Sequence, residues 1–226
     1  MKTIEELLKE YRSEVYVATS CYFAWKSINN LGANDPKLFQ ALQRNALSWN
    51  LIVHSLQITF FSALGRLFDQ DTRSLTARTF VSKCEAELDQ FGKSAFETRR
   101  LAGNHGVRPD YLDGYMAGVY EPVAADFQKL GIAIAPWEKL YKSNYQPIRH
   151  KLIAHKDIAT IGGKESLFAK TNIGEIEEIL KGLYQVAAVV EQLINNGKMS
   201  NLVDHNLCED EHVRKDLESL LSKIAT

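Results

Sequence analysis

Arg149 and His155, in the second half of the chain, combine the two side chains that metal-independent cleavage of RNA would need. In that reaction the ribose 2′-hydroxyl attacks the adjacent phosphate, so a group that titrates near neutral pH must move a proton, and histidine is the natural choice. Negative charge develops on the phosphate, and the planar guanidinium of arginine fits its oxygens. His150 follows the arginine and could donate a further hydrogen bond. The residue types therefore predict Arg149, His155 and His150 as catalytic residues.

The spacing of arginine and histidine is by itself a weak signal. A match to this pattern is expected about once by chance in a chain of this composition. Arg99 and Arg100, each taken with His105, satisfy it as well. Those pairs end in a Gly-Asn-His-Gly turn that would not hold an imidazole in place. Arg149 and His155 lie in a helical pattern instead, and this context favours them.

Helical geometry separates the two favoured side chains within one chain. At 100° per residue, Arg149 and His155 would lie about 120° apart around an α-helix. One copy thus supplies a widely separated pair, and a compact site would need two copies that face each other. Two-fold symmetry is the commonest way to double a site. We therefore expect a homodimer with a composite active site formed by the two 148–157 segments.

Positive charge is concentrated around this candidate site. The whole chain carries a net charge of −1, so any attraction for nucleic acid must come from a local patch. Residues 138–157 hold five basic side chains against two acidic ones. A phosphate backbone would be attracted there, which predicts Lys142, Lys151 and Lys156 as RNA-binding residues. The alternative interpretation is structural: His155 satisfies the end of an amphipathic helix, and the lysines are solvated.

Two further groups of residues have both structural and functional interpretations. Arg66 and Asp69, three positions apart, favour a surface ion pair, although they could also line the same groove. Trp137, Tyr141 and Tyr145 form a stripe at four-residue spacing, which is typical of a helix core but could stack on bases. The acidic C-terminal tail predicts a solvated face, although it could dock on a basic partner.

Most enzyme classes lack their signatures in this sequence. There is no phosphate-binding glycine loop, no G-x-S-x-G, no H-E-x-x-H and no dinucleotide fingerprint. Cys21, Cys84 and Cys208 are far apart and cannot all pair, which indicates a reducing compartment and neither a disulfide framework nor a zinc site. No apolar run approaches the roughly 20 residues of a membrane span, and the charged start predicts no signal peptide. We expect a cytoplasmic protein with no metal, no cofactor and no membrane contact.

Helical periodicity runs through the whole chain. Its clearest stretch is residues 39–67, where apolar residues recur at alternating steps of three and four, so we expect one continuous helix about 45 Å long. Further apolar residues beside this seam predict that the helix is buried on two sides and is the central element. Turn-forming residues at 29–34 separate it from a long first helix, which makes the two antiparallel neighbours.

Capping residues and helix breakers place the remaining elements. In the first half of the chain, the sequence predicts a helix start at Asp35 and Pro36, a helix capped by Ser74 or Thr76 and running to about residue 91, and a loop or broken helix at 97–109. Helices then follow at 110–130 and at 136–154, the second with a kink at Pro147. After a loop at 156–170, the sequence predicts a helix from Asn172 and Glu175 to Gly197 and a last helix at 210–224. No segment reads as a convincing strand. The predicted fold is an all-α antiparallel helical bundle at 1–196 with long N-terminal helices, followed by a C-terminal helical appendage at 197–226.

Two strings in the sequence carry a resemblance to a known family. RHKLIAHKD, residues 149–157, resembles the arginine–polar–lysine … alanine–histidine–x–aspartate core of abortive-infection U-type (AbiU-like) HEPN proteins. ALGRLFDQD, residues 63–71, is similar to the end of their long second helix. His150 departs from the family, in which asparagine or aspartate is commoner at that position.

The resemblance implies an all-α HEPN bundle, a homodimer, and a metal-independent endoribonuclease. It also implies a toxin or phage-defence effector, with RNA as the substrate and a cognate antitoxin protein as a possible partner. Some relatives in the HEPN class only bind or scaffold. The alternative is therefore a non-catalytic helical module that dimerises and binds RNA or a partner protein.

Overall fold

Helices make up the regular structure of residues 2–154, 169 and 171–224, the part of the chain that the computed structural model describes. No strand occurs in these ranges, so the predicted all-α class is confirmed. In chain order the main elements are α1 (Ile4–Asn34), α2 (Pro36–Arg44), α3 (Ala46–Leu67), α4 (Ala77–Ala86), α5 (Lys93–Gly103), α6 (Leu112–Ala117), α7 (Ala124–Leu140), two π-helical segments that we term π1 (Tyr141–Tyr145) and π2 (Arg149–Ala154), α8 (Ile173–Asn196) and α9 (Glu209–Ser222).

The first helix is longer than the sequence suggests. The turn predicted at 29–34 is wrong, because α1 continues without a break to Asn34. The asparagine side chains bond back to the helix: Asn29 Nδ2 donates to the carbonyl of Trp25 at 2.7 Å, and Asn34 Nδ2 donates to that of Asn30 at 2.8 Å. Residues that usually favour turns are therefore satisfied inside this helix.

The single helix predicted over 39–67 is wrong, since two helices meet at Asn45. The start of α2 is as predicted: Asp35 Oδ1 accepts from the backbone N–H groups of Lys37 at 2.9 Å and Leu38 at 3.2 Å. The helix ends at Arg44, and Asn45 adopts a non-helical backbone before α3 begins. Apolar spacing continues across Asn45, so periodicity alone could not locate the break.

The central helix of the bundle is α8, and the prediction that the 39–67 stretch would be central is wrong. Of the 24 residues in α8, thirteen are buried, against six of the 22 in α3. The six lie in the last two turns of α3, from Phe60 onward. Nearer its start, α1, α2 and α9 cover one face of α3, while Leu47 and Leu51 remain 86% and 65% exposed.

The ends of α8 follow the predicted caps in part. Asn172 Oδ1 accepts from the backbone N–H of Gly174 at 2.8 Å, and Gly197 ends the helix with a left-handed φ of 55°. The expected capping box is not completed by Glu175. Its carboxylate accepts a hydrogen bond from the Tyr145 hydroxyl at 3.3 Å instead, which ties α8 to π1.

The stretch predicted as a loop or a broken helix at 97–109 is helical up to Gly103, where α5 ends. Two other segments differ from the sequence prediction. The helix predicted at 110–130 is divided, since α6 ends at Ala117 and α7 begins at Ala124. Pro136, predicted as a helix start, lies inside α7. The last helix is confirmed as α9.

Helix α9 packs along α1, with Val213 against the main core and its later turns against the C-terminal half of α1. Leu221 is fully buried there, in a small apolar cluster with Ile28 of α1 and Leu38 of α2.

Helix α3 is long and apolar enough to cross a membrane, by length and composition alone. Of the apolar stretch of α3 that meets this test, 22% is buried inside the protein.

We expect Gly182→Ala to lower the free energy of unfolding by about 1–3 kcal/mol, as overpacking does in tight cores. A Cβ on Gly182 of α8 would lie 2.7 Å from Cε2 of Trp137 and closer still to Cζ2 and Cη2. The measurement is urea unfolding followed by circular dichroism.

Gly114→Ala is the matched control, because a Cβ there meets no atom within 4 Å. In helix α6 this change should be neutral or stabilising by up to about 1 kcal/mol. Equal destabilisation by the two substitutions would contradict the packing of Trp137 on α8.

Candidate functional site

The predicted site residues that the structure describes lie on the two π-helical segments: Lys142 on π1, and Arg149, His150 and Lys151 on π2. His155 and Lys156 fall outside the described residues. One α-helical turn, Gln146–Ile148, joins the segments. Lys142, His150 and Lys151 are exposed, whereas Arg149 is half-buried.

The segment that carries Arg149 is π-helical, whereas the predicted angle between Arg149 and His155 assumed an α-helix. A π-helix closes i→i+5 hydrogen bonds and so places about one more residue in each turn than an α-helix does. The Gln146 N–H, for example, donates to the carbonyl of Tyr141. Pro147 has no N–H to donate, which favours a departure from α-helical bonding here. The assumption of an α-helix is wrong for Arg149–Ala154, and the angle to His155 stays a prediction because that residue lies outside the described ranges.

The Arg149 side chain lies flat against the backbone of α3 at Gly65. A Cβ at position 65 would lie 2.9 Å from Arg149 Cζ and closer still to Nε and Cδ. Real Cβ atoms essentially never come this close to another heavy atom, so only glycine leaves room for the arginine. The two strings that resemble the AbiU-like proteins are thus in direct contact, since one contains Gly65 and the other Arg149.

Tyr141, which the sequence analysis named only as part of an aromatic stripe, lies beside Arg149 at this site. Its ring is 1% exposed and stacks on Phe68, with centroids 5.1 Å apart. Burial raises the pKa of Tyr141, while the neighbouring Arg149 guanidinium opposes that rise and Asp69 adds to it. The hydroxyl lies close enough to the Arg149 guanidinium for that group to lower the tyrosine pKa, but no partner among the described residues meets strict hydrogen-bond geometry. The signal available in the sequence was the residue type, because phenylalanine would fill the same buried space without a hydroxyl.

The charge of Arg149 is not neutralised within the described ranges, where no carboxylate lies at ion-pair distance from its guanidinium. Most other arginines pair with a carboxylate, at Arg12, Arg66, Arg73, Arg78, Arg99, Arg108 and Arg214. Glu138, one of the acidic residues near the patch, is held by Arg78 at 2.7 Å. The segment around Arg149 therefore keeps the positive character that its composition predicts.

The ion pair predicted between Arg66 and Asp69 is wrong. Arg66 donates instead to the carboxylate of Glu14 on α1, at 2.8 Å from Nε. Asp69 follows the end of α3, where its carboxylate accepts from the backbone N–H of Gln70 and from the Ser74 hydroxyl. Asp69 thus bonds within the turn that follows α3 rather than with Arg66.

The aromatic stripe is core, as its spacing favoured. Tyr141 and Tyr145 are 1% and 0% exposed, and the Trp137 ring packs on Gly182. The Tyr145 hydroxyl donates to the carbonyl of Asn172 at 3.1 Å. None of the three rings presents a free face to a base.

The competing arginine–histidine pairs have structural roles. Arg99 donates to the carbonyls of Gln90 at 2.6 Å and Ile194 at 3.3 Å, and Arg100 donates to that of Asn195. The contacts with Ile194 and Asn195 satisfy carbonyls at the C-terminal end of α8. His105 lies in a turn with a φ of 53° and joins neither arginine.

Within the described residues, no group of three or more His, Cys, Asp or Glu side chains could hold a metal ion. The three cysteines are free. Burial raises the pKa of the Cys84 thiol and that of Cys21 above the usual range. Neither thiol is therefore prepared to act as a nucleophile.

The all-α bundle and the arginine-bearing segment define a protein of the HEPN class. A model of the family HEPN_AbiU2 (AbiU2) matches residues 1–221. The chain therefore belongs to the AbiU2 family of HEPN proteins, as its two strings predicted. No curated protein and no solved structure matches it.

A double-mutant cycle tests the contact between Gly65 and Arg149. Gly65→Ala should lower the free energy of unfolding by about 1–3 kcal/mol, because the new methyl group displaces the arginine. In an Arg149→Ala background the same substitution should cost at least about 1 kcal/mol less, since the clash is gone. Equal costs in both backgrounds, measured by urea unfolding, would show that the two residues do not touch.

Two tyrosine substitutions test whether the Tyr141 hydroxyl lacks a partner. Tyr141→Phe should be neutral or stabilise the fold by up to about 1 kcal/mol, because it removes an unpaired buried group. Tyr145→Phe should destabilise by about 1 kcal/mol, because it removes the bond to Asn172. Thermal unfolding of both variants is the measurement. A cost at Tyr141 as large as that at Tyr145 would count against an unpaired hydroxyl.

Proposed function

We propose that this protein is a metal-independent endoribonuclease that acts as a toxin-like effector in abortive infection. Its membership of the AbiU2 HEPN family supports abortive-infection and RNase-like function at the level of the family. Activity on RNA, and the residues that provide it, are our proposal.

The observation that carries the proposal is the placement of Arg149. Its guanidinium is half-buried against Gly65 and has no carboxylate at ion-pair distance in the described part of the chain. A fixed cation that no described carboxylate neutralises suits the charge that develops on a phosphate during cleavage.

The proposed reaction is attack by the ribose 2′-hydroxyl on the adjacent phosphorus. A new P–O2′ bond forms, the P–O5′ bond breaks, and the products are a 2′,3′-cyclic phosphate and a 5′-hydroxyl. His155 takes the proton from the 2′-hydroxyl or gives one to the leaving 5′-oxygen. Arg149 stabilises the charge on the phosphate, and His150 donates a further hydrogen bond. Lys142, Lys151 and Lys156 attract the RNA backbone.

A homodimer completes this proposal. One chain supplies one Arg149 and one His155, and a second copy related by a two-fold axis would bring a second pair to the same site. The proposal also places the protein in the cytoplasm, where its RNA substrate lies, with an antitoxin protein as a possible partner. The alternative, a non-catalytic module that dimerises and binds RNA or a partner protein, predicts binding without cleavage.

Purified protein, freed of any partner and incubated with a panel of synthetic RNAs, tests the proposal. Arg149→Ala and His155→Ala should each abolish cleavage while circular dichroism and melting temperature stay nearly unchanged. His150→Ala should reduce the rate by about tenfold if it donates one transition-state hydrogen bond. Cleavage should survive EDTA, leave a 2′,3′-cyclic phosphate, and fail on DNA of the same sequence.

His105→Ala is the matched control, because this histidine satisfies the same sequence pattern but lies in a turn away from π2. It should cleave like the wild type. RNA binding by an inactive wild-type protein would favour the binding module. Cleavage by His155→Ala would refute the mechanism.

A further inference from the structure

A stripe of apolar side chains on α3 has no partner within the described chain. Leu47 and Leu51 are 86% and 65% exposed, and the stripe continues through His54 to Ile58, which is half-buried. Exposed leucines at this density are unusual on a soluble surface that binds nothing. This stripe, at positions 47, 51, 54 and 58, lies on a different face from the seam that α1, α2 and α9 cover.

The spacing of the stripe is that of a helix–helix seam. The steps from position 47 are four, three and four residues, which is the spacing that keeps apolar side chains facing a second helix. The next steps, of three and four, lead to Phe61 and Gly65. Phe61 is buried, and Gly65 is covered by Arg149. One face of α3 is therefore covered at its C-terminal end by π2 and uncovered over its first three turns.

The charge of this helix favours a second copy of the same chain as the partner. Its titratable side chains are His54 and Arg66, and Arg66 is already paired with Glu14. An uncharged stripe can face its own copy without the repulsion that like charges would cause. A two-fold interface requires this kind of self-complementary surface.

We propose that two copies pair through this stripe with their α3 helices parallel and in register, so that Leu51 of one copy meets Leu51 of the other. The inference rests on the proposed function in one respect, the direction of pairing. In a parallel pair both Arg149 side chains lie at the same end of the interface. In an antiparallel pair centred on the stripe, the two Gly65 positions would be roughly 35–40 Å apart, too far for a composite site.

The size of the stripe supports the same direction. From Leu47 to Ile58 it is about 17 Å long and one helix, roughly 10 Å, wide, so its area of about 170 Å² is well below the roughly 800 Å² per copy of a stable dimer. A parallel pair extends the contact along α3 to π2, where His150 is exposed. Two Arg149 residues then share one end, and the RNA phosphate between them offsets their repulsion.

Sedimentation velocity and light scattering test the interface without RNA. The wild type should be a dimer at micromolar concentration, and Leu51→Asp should raise the dimer dissociation constant by at least about tenfold. Ile52→Asp is the matched control, since Ile52 is 42% exposed but lies one residue, about 100°, further round the helix. It should change the constant by less than about twofold. A monomeric wild type, or equal effects of the two changes, would overturn the proposal.

Cross-linking tests the direction. With the exposed Cys208 replaced by serine, Leu47→Cys should form a disulfide-linked dimer on mild oxidation, because an antiparallel pair centred on the stripe would hold the two copies of position 47 roughly 16 Å apart along the helix axis. Ile52→Cys should not link in either direction. A dimer in which Leu47→Cys fails to link would exclude the parallel register. Binding of the wild type to phosphatidylcholine vesicles, lost in Leu51→Asp, would assign the stripe to a lipid surface instead. RNA cleavage by a monomer would overturn this inference but not the assignment of the catalytic residues. A dimer that does not cleave RNA would support the interface and count against the proposed function.

Discussion

The close approach of Arg149 to the backbone of α3 is the constraint on which the candidate site depends. A long cationic side chain can lie flat on a helix only where no Cβ projects, and Gly65 provides that place. On its other sides α3 is held by α1, through buried residues such as Phe60 and Leu64. The hydrophobic core of the bundle therefore fixes the position of the arginine, which is the arrangement that a preorganised charge requires.

Much of the fold could be predicted because helices follow local rules. The all-α class came from periodicity, and Asp35, Asn172 and Gly197 mark helix ends because their side chains or backbones satisfy terminal groups. The choice of Arg149 over Arg99 also came from local context. The donation by Arg99 to carbonyls of the fold agrees with that choice.

The rest depended on contacts between distant segments, which local patterns do not contain. Spacing shows which face of a helix is apolar but not what covers it, so α3 was expected at the centre that α8 occupies. The break at Asn45 leaves the spacing of apolar residues unchanged. The role of Gly65 could not be inferred from either string alone, because it exists only once Arg149 packs on α3. His155 lies outside the described residues, so its place in the site stays a prediction.

The two π-helical segments have a consequence for how this part of the chain can evolve. The hydrogen-bond register between Tyr141 and Ala154 depends on the number of residues as well as on their identity. Deletion of one residue would let the run relax into a continuous α-helix and rotate everything after it by about 100°. Arg149 would then leave the groove at Gly65 although every site residue was still present. Homologues that keep an intact site should therefore vary in sequence here far more freely than in length.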